Sequence, residues 1–554
     1  MDENGVSARS ECLDRVPDVV QALQPHEASL SVQESTLSPL TQSCTLLEPL
    51  SDDVKHQNEL VDKLAISALQ EQDDSQPTAA LIHNSSQPIL RIPVEITSYI
   101  LELVAAFSDP PEAARLPDDM YLPISLSFIF INLACQTLRD IAINTPACWS
   151  NVIIWFAKRH SFPPTVVELY LLRSKGVLFN FILFVNRPSL ESTRLQKLLT
   201  LLSTHIHRCR RIEIWSGLEA MEVNEISKVI RDSCWAYPSL RSVKLADYTR
   251  DTEREVDEFQ LIPFWDQQNT SIESIDLDFG DHKAFKPPST VEGLYLPAGI
   301  RYLRIYEGLH KDLVISAIRY CSYLEHFDWS CQSAELSLDL KPLELPHLKT
   351  FKLNEEALSG GFPPIIAPSC EELCLGGLWY SADNDWFLES AQGVVRRFPA
   401  LKRLSFVHID GWPTKVQKFL SYHPFIEEIL IQGPDPSDGT MVDKERELFD
   451  GLAASPTSSL PNSNNLPDLL PSLRLLWYRT TIRLWADTPS SEFVGPSATI
   501  AQGLRRLLTQ RPALCIKILQ EYKEEDIPHE LIRLIHDFGS RLFILHNETP
   551  DWAI

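Results

Sequence analysis

At 554 residues the chain is long enough for several domains or one elongated repeat array, and it needs no disulfide or metal to hold a core. Its 75 acidic residues against 50 basic ones give a formal charge of -25, which argues against non-specific binding to nucleic acid or an anionic membrane. The most apolar runs, Leu122 to Cys135 and Val177 to Val185, fall short of the ~20 residues a membrane helix needs, so a soluble chain with no membrane partner is expected.

The sequence begins Met1-Asp2-Glu3-Asn4, with neither a basic start nor an apolar core, so no secretory signal is visible. Residues 1–46 mix Ser, Gln, Glu and Pro without an apolar period and read as a disordered tail. Over residues 47–88, Val54, Val61 and Ala68 lie seven apart with Leu64 between, which predicts a short helix followed by a Ser, Asn, Gln and Pro linker. The 11 cysteines are scattered without a C-x-x-C pair, which points to reduced thiols in a cytoplasmic or nuclear setting. His205 and His207 have no Cys or acidic cluster at ligand spacing, so no metal is expected.

Residues 89–155 carry the most specific pattern. Pro93 suits the first turn of a helix and Glu95 suits the positive end of its dipole. Ile96, Ile100, Leu103, Val104 and Phe107 follow at three- and four-residue steps as one apolar stripe, ended by Asp109-Pro110-Pro111. A second stripe of Phe128, Leu133, Cys135, Leu138, Ile141 and Ala142 stops before Asn144-Thr145-Pro146. So few short helices bury little surface alone and need a neighbouring domain or a partner.

At these residues the stretch resembles an F-box, the adaptor-binding motif of substrate receptors in cullin-RING ubiquitin ligases. Ile92, Pro93, Glu95, Ile96, Ile100 and Leu101 match its Leu-Pro-x-Glu-Ile opening and the Ile-Leu downstream; Cys135, Arg139, Asp140, Pro146 and Trp149 match its closing half. Leu138 stands where that family usually has Trp, and Ser108 to Ile124 reads as an inserted loop similar to those in F-box proteins of mushroom-forming (basidiomycete) fungi. The resemblance implies a Skp-family adaptor as partner, bound through Ile92, Pro93, Glu95, Ile96, Ile100 and Leu101. Cys135, Leu138, Ile141 and Trp149 either touch the adaptor or pack the module onto the domain C-terminal to it, and the sequence does not divide the two sets. The alternative is an ordinary helical cap.

Beyond the module, Ile153 to Phe156, Val167 to Leu172 and Phe179 to Val185 read as strands. Residues 156–488 then repeat an apolar-x-x-apolar-x-apolar hexad: Cys209-Ile212-Ile214, Leu240-Val243-Leu245, Ile272-Ile275-Leu277, Ile300-Leu303-Ile305, Leu324-Phe327-Trp329, Leu348-Phe351-Leu353, Cys370-Leu373-Leu375, Leu401-Leu404-Phe406, Ile426-Ile429-Ile431 and Leu473-Leu476-Tyr478. Spacing of this order loosely resembles leucine-rich repeats, and the expected fold is α/β: a short helical module followed by an irregular solenoid. Return helices are expected at Glu225 to Asp232, Lys311 to Arg319, Trp386 to Arg397 and Pro413 to Tyr422. Residues 434–465 interrupt the period as a loop excursion with a helix from Val442 to Leu452. Residues 489–554 read as a C-terminal cap with helices at Ile500 to Thr509 and His529 to Phe538 and a strand at Leu514 to Ile518.

The second position of the hexads alternates in sign as Arg241, Glu273, Arg301, Glu325, Lys349, Glu371, Lys402, Glu427 and Arg474. The fifth does so as Glu213, Lys244, Asp276, Arg304, Asp328 and Lys352. Parallel strands lie ~4.8 Å apart, so each row is either a charged face awaiting a partner or a ladder of internal pairs. In the second case client recognition falls to Tyr302 and His326 between the rows, to the loop aromatics Trp379, Tyr380, Trp386 and Trp412, or to the excursion. Asp276 to His282 lacks the spacing of a calcium loop, and no nucleophile-base pair or phosphate-cradling glycine loop is present. The sequence thus predicts no enzyme and no cofactor. The expected function is the substrate-recognition subunit of an SCF-type ubiquitin ligase with an unknown protein client, or else a repeat scaffold outside ubiquitin chemistry.

Overall fold

A computed structural model of the chain describes residues 92–106, 136–156, 164–185, 192–216, 238–247, 271–278, 296–306, 311–330, 342–354, 363–376, 393–407, 419–432, 448–453, 470–479, 496–520 and 529–546. The chain divides into Met1–Arg91 and Ile92–Ile554, and every described residue lies in the second unit. The expected tail, the helix within 47–88, the insertion from Ser108 to Ile124 and the helix from Glu225 to Asp232 lie outside the described residues. So does the excursion, apart from a helical stretch at 448–453.

Helices α1 (Val94–Ala106) and α2 (Gln136–Asn144) and a 3-10 turn (Pro146–Trp149) lead into β1 (Asn151–Phe156). Next come α3 (Pro164–Arg173), β2 (Phe179–Val185), α4 (Ser192–Ser203) and β3 (Cys209–Ser216). The hexads then supply β4 (Ser242–Asp247), β5 (Ser274–Asp278), β6 (Tyr302–Tyr306), β7 (His326–Ser330), β9 (Thr350–Asn354), β11 (Glu372–Gly376), β12 (Arg403–Val407), β13 (Glu428–Gln432) and β14 (Leu475–Arg479). Helix α5 (Lys311–Ile318) precedes β7, and the short β8 (Leu343–Glu344) and β10 (Ile365–Ile366) pair with each other in parallel. The chain continues through α6 (Pro496–Gln510), β15 (Cys515–Gln520), α7 (His529–Phe538) and β16 (Leu542–His546).

Fourteen of these strands form one sheet in which each pairs with the next along the chain, leaving out only β8 and β10. Every pairing in it is parallel. The register matches position for position: Val243 faces Ile275, Ile275 faces Leu303, Leu303 faces Phe327 and Phe327 faces Phe351. Two local devices set it. The first residue of a hexad donates its N–H to the carbonyl three residues earlier, as in Leu324 to Cys321 (3.1 Å), Leu348 to Leu345 (3.2 Å) and Ile426 to His423 (3.3 Å), so a tight turn launches each strand. The N–H of the second residue then donates to the second-position carbonyl of the preceding hexad, unbroken from Glu273 on Arg241 (2.8 Å) to Arg474 on Glu427 (2.8 Å).

The fourth and sixth positions point to one face of the sheet and are buried there. They join the helices in a continuous core that runs from Leu101 to Leu542. Its largest members stack along the repeat: Phe327 on Phe351 (5.4 Å between ring centroids), Phe406 against Phe419 (5.7 Å) and Phe449 against Tyr478 (5.2 Å). Cys148, Cys209, Cys321 and Cys370 are buried free thiols, and burial pushes Cys148 and Cys321 up to about 12, which makes them unreactive at neutral pH.

One expectation is corrected. Val167 to Leu172 lies in helix α3 rather than a strand: Pro164 opens the helix, and the buried Val167, Tyr170, Leu171 and Ser174 fall at three- and four-residue steps. Within residues 489–554, expected as a C-terminal cap, β15 and β16 continue the same sheet, and β16 is a strand the sequence pattern did not predict. The expected helices from Trp386 and from Pro413 are described only at 393–397 and 419–421.

Arginines tie successive repeats together. Arg208 donates to the carbonyls of Leu171 (3.1 Å), Val177 (3.2 Å) and Lys175, and Arg541 donates to those of Leu508 (3.0 Å) and Pro512 (3.0 Å). Arg511 donates to Leu452 O (2.8 Å) and Leu470 O (2.7 Å). Leu470 has φ +60°, a conformation costly for a branched side chain, and the Arg511 bond helps to hold it. Replacing Arg511 by Met is expected to cost about 2 kcal/mol, the scale of a charge-assisted bond set, in denaturant unfolding. A loss below ~0.5 kcal/mol would show that the arginine is dispensable.

His423 is buried against Phe419 with ring centroids 4.8 Å apart, and burial pushes its pKa down to about 4. The unfolded imidazole titrates near ~6.5, so the unfolded chain binds this proton first. The stabilisation is complete above ~6.5 and is lost as pH falls towards about 4, amounting to roughly 3 kcal/mol. Stability measured across that window should fall less steeply in His423→Phe than in the wild type; equal slopes would assign the effect to other groups.

Candidate functional site: an outward apolar helix and an open sheet face

Helix α1 starts at the Ile92-Pro93-Val94-Glu95-Ile96 motif, where the Thr97 N–H (3.0 Å) and hydroxyl (3.2 Å) both donate to Pro93 O. Its buried line is Thr97, Leu101 and Ala105, four residues apart. The opposite side exposes Ile96 (51%), Tyr99 (58%), Ile100 (38%) and Leu103 (37%). The helix therefore presents its more apolar side outwards, against the usual arrangement of a surface helix. The stripe predicted from Ile96, Ile100, Leu103 and Val104 is this outer one; Phe107 lies outside the described residues.

The rest of the motif holds α1 in place. Leu138 and Ala142 of α2 are buried, and Thr145 Oγ1 donates to Ile141 O (2.8 Å) and hydrogen-bonds Ser98 Oγ (3.2 Å). Trp149 is 2% exposed, and its Nε1–H donates to Ala142 O at 2.7 Å. The Tyr170 ring meets Trp149 edge-on at 5.0 Å and the Arg173 guanidinium lies 4.4 Å above it. Burial, with the Arg139 charge, lowers the Arg173 pKa. Asn151 of β1 donates to Ala105 O (2.6 Å) and accepts from Asn180 of β2 (2.7 Å), so α1 is bonded directly to the sheet.

This geometry divides the adaptor-facing residues expected from the sequence. Pro93, Glu95, Ile96 and Ile100 are exposed and Ile92 is partly so. Leu101, expected to face the adaptor, is a core position instead, because it is turned onto the sheet and its helices, and of the residues left open Trp149 joins the same core and Leu138 is buried on α2. Ile141 packs against the same core from a partly buried position, and Cys135 lies outside the described residues. Tyr99 and Leu103 belong to the outer face although the motif comparison did not select them; their steps of three and seven from Ile96 were the available signal.

The sheet's other face carries the third, fifth and seventh positions. The alternating rows pair along the ladder as expected of internal pairing. In the second position Arg241 meets Glu273 (3.2 Å), Glu325 takes both Arg301 (3.5 Å) and Lys349 (2.5 Å), and Lys402 meets Glu371 (2.9 Å). In the fifth, Lys244 meets Asp276 (3.1 Å) and Arg304 meets Asp328 (3.5 Å). Hydrogen bonding and charge from Lys349 lower the Glu325 pKa, as Lys402 does for Glu371. Burial works against the Arg304 charge, but Asp328 and Asp276 on either side outweigh it and raise its pKa.

Tyr302 and His326 are exposed neighbours on β6 and β7, with ring centroids 6.3 Å apart. Burial raises the Tyr302 and Tyr306 phenols and lowers His326, so all three are neutral at neutral pH. Trp379, Tyr380, Trp386 and Trp412 lie outside the described residues. Exposed Tyr320, Tyr323 and Phe425 were not anticipated. Among the described residues no group of His, Cys, Asp and Glu could hold a metal ion, and no helix is long and apolar enough to cross a membrane.

No protein-family model matches the sequence, and no curated protein matches it.

Truncating the buried Trp149 in Trp149→Ala is expected to cost about 3–5 kcal/mol in denaturant unfolding, the range for large core aromatics. Ile96→Ser on the outer face should stay within ~0.5 kcal/mol of wild type. Equal losses at the two positions would contradict this division of inner and outer residues.

Proposed function

We propose that the chain is the substrate-recognition subunit of an SCF-type ubiquitin ligase. An F-box-like module, centred on α1, docks on a Skp-family adaptor that links it to a cullin-RING complex, and an irregular leucine-rich-repeat-like solenoid binds a protein client. The observation that carries the reading is the outward apolar side of α1. Ile96, Tyr99, Ile100 and Leu103 lie together on the helix that begins at the Ile-Pro-x-Glu-Ile motif, where an apolar partner surface would cover them.

The attachment of α1 supports the same reading. Thr145 and Asn151 bond the helix to the start of the sheet, so a client on the repeats would be held at a fixed offset from the adaptor. Acceleration then comes from effective concentration: client lysines are kept near a ubiquitin-charged enzyme, and the bond chemistry belongs to partner subunits. The receptor itself performs no covalent step.

Purified Skp-family adaptor should bind the full chain. Ile96→Asp/Ile100→Asp should weaken that binding about 30-fold or more, as loss of roughly 2 kcal/mol at an apolar hot spot does, with thermal stability unchanged. A folded wild-type chain that fails to bind the adaptor would overturn the reading and leave a repeat scaffold with other partners.

A further inference from the structure

The open face of the sheet is not uniform along its length. Towards β1, Ile153, Ile182 and Phe184 are buried in a small cluster of their own with Trp215 packed against it, and the Lys244 ammonium lies 4.2 Å over the Trp215 ring. Towards β16, Leu430, Trp477 and Leu519 form a second buried cluster, with Lys517 4.0 Å over Trp477. Between these ends, across β5, β6, β7 and β9, the fifth row is the charged series Asp276, Arg304, Asp328 and Lys352, and the third row carries the exposed Tyr302 and His326.

We infer that this window over β5, β6, β7 and β9 is the client site, and that it takes an extended peptide segment without net charge, anchored by an aromatic or long apolar residue on Tyr302 and His326. The inference deepens the receptor reading and rests on it for the word client. Three observations carry it.

The first is charge. Within the window Asp276, Arg304, Asp328 and Lys352 alternate in sign and sum to zero, Arg304 pairing with Asp328 and Asp276 with Lys244 of β4, so the row holds no run of like charges for a strongly acidic or basic ligand to meet. A charged segment would lose hydration without a matching counter-charge. The second is the side chains that remain. Tyr302 and His326 offer two adjacent neutral rings, and the Tyr306 ring, already covered by the Arg304 guanidinium at 4.4 Å, makes a rigid shoulder. Phenols held above their usual pKa stay protonated and can donate to peptide carbonyls. Rigid aromatics of this kind anchor ligands at little entropic cost.

The third is length. Four strands at ~4.8 Å make a window about 15–20 Å wide, the span of five or six extended residues at ~3.3 Å each. The other exposed aromatics do not form such a platform. Tyr323 stacks on His347 at 5.8 Å in the turns ahead of the strands, and Phe425 occupies a turn without a ring partner among the described residues.

The test is selection from a phage-displayed random peptide library on the full-length protein, followed by binding of the selected synthetic peptides to Tyr302→Ala/His326→Ala. Enriched peptides should share an aromatic or long apolar residue in a segment of near-zero net charge, and the double variant should lose about tenfold or more in affinity. Tyr323→Ala should bind them as the wild type does, and Tyr302→Lys, which adds a charge without emptying the site, should weaken them too. Enrichment of consistently acidic or basic peptides, no enrichment, or full binding by the folded double variant would each overturn the inference. Adaptor binding, scored separately on α1 variants, reports on the receptor reading; its loss or retention leaves the peptide result intact.

Discussion

The structure depends on the line of backbone hydrogen bonds that joins the second position of each hexad to that of the one before, from Arg241 to Arg474. A parallel ladder fixes neighbouring strands ~4.8 Å apart and allows no slip of one residue without turning every side chain to the other face. Once the ladder is formed, each residue stands beside its counterparts and must tolerate them. The alternation Arg241, Glu273, Arg301, Glu325, Lys349 is what such a row requires, since like charges directly opposite would repel. Individually these exposed pairs contribute little, ~0–1 kcal/mol, and their main effect is to penalise wrong registers.

The same ladder explains where the molecule can be read by others. With the fourth and sixth positions committed to the core, the third, fifth and seventh remain, and from β3 to β9 the fifth carries charges that alternate in sign and pair along the row. In the third position Tyr302 and His326 are adjacent rings between the small Ser242 and Ser274 on one side and Thr350 on the other, and on the receptor reading they are what this stretch offers a client. Helix α1 is an exception of another kind. It sits at the start of the sheet, held by Trp149, Thr145 and Asn151, and its outer side is the more apolar one. On the receptor reading, one rigid connection carries both halves of the function, the adaptor-facing helix and the client-facing sheet.

Much of this was legible because it follows short periods. The hexads predicted their strands and their register, Phe179 to Val185 formed the strand read from it, and His529 to Phe538 formed the helix read from it. The misreadings have a common cause, the absence of a local signal. Val167 to Leu172 is an apolar run whose β-branched start suits a strand, and only its burial at three- and four-residue steps against the core shows a helix. The paired fragments Leu343–Glu344 and Ile365–Ile366 are too short to carry a pattern, and Leu542–His546 comes after its helix with only a 3-10 turn between.

By itself the sequence determined which residues belong to a repeat and which charges stand in one row, because those are properties of spacing along the chain. It could not say which of Ile96, Ile100, Leu101, Leu138 and Trp149 face outwards, since every one is apolar and each fits either side of a helix. Only the tertiary structure decided that. The sheet and its helices offer an apolar surface at the end beside β1, and Leu101 and Trp149 fill it while Leu138 is buried on α2, so Ile96 and Ile100 are turned away. The open face obeys the same rule. Spacing placed Tyr302 and His326 in one row, and the structure leaves both rings exposed while Ile182 and Phe184 at one end and Trp477 and Leu519 at the other are buried.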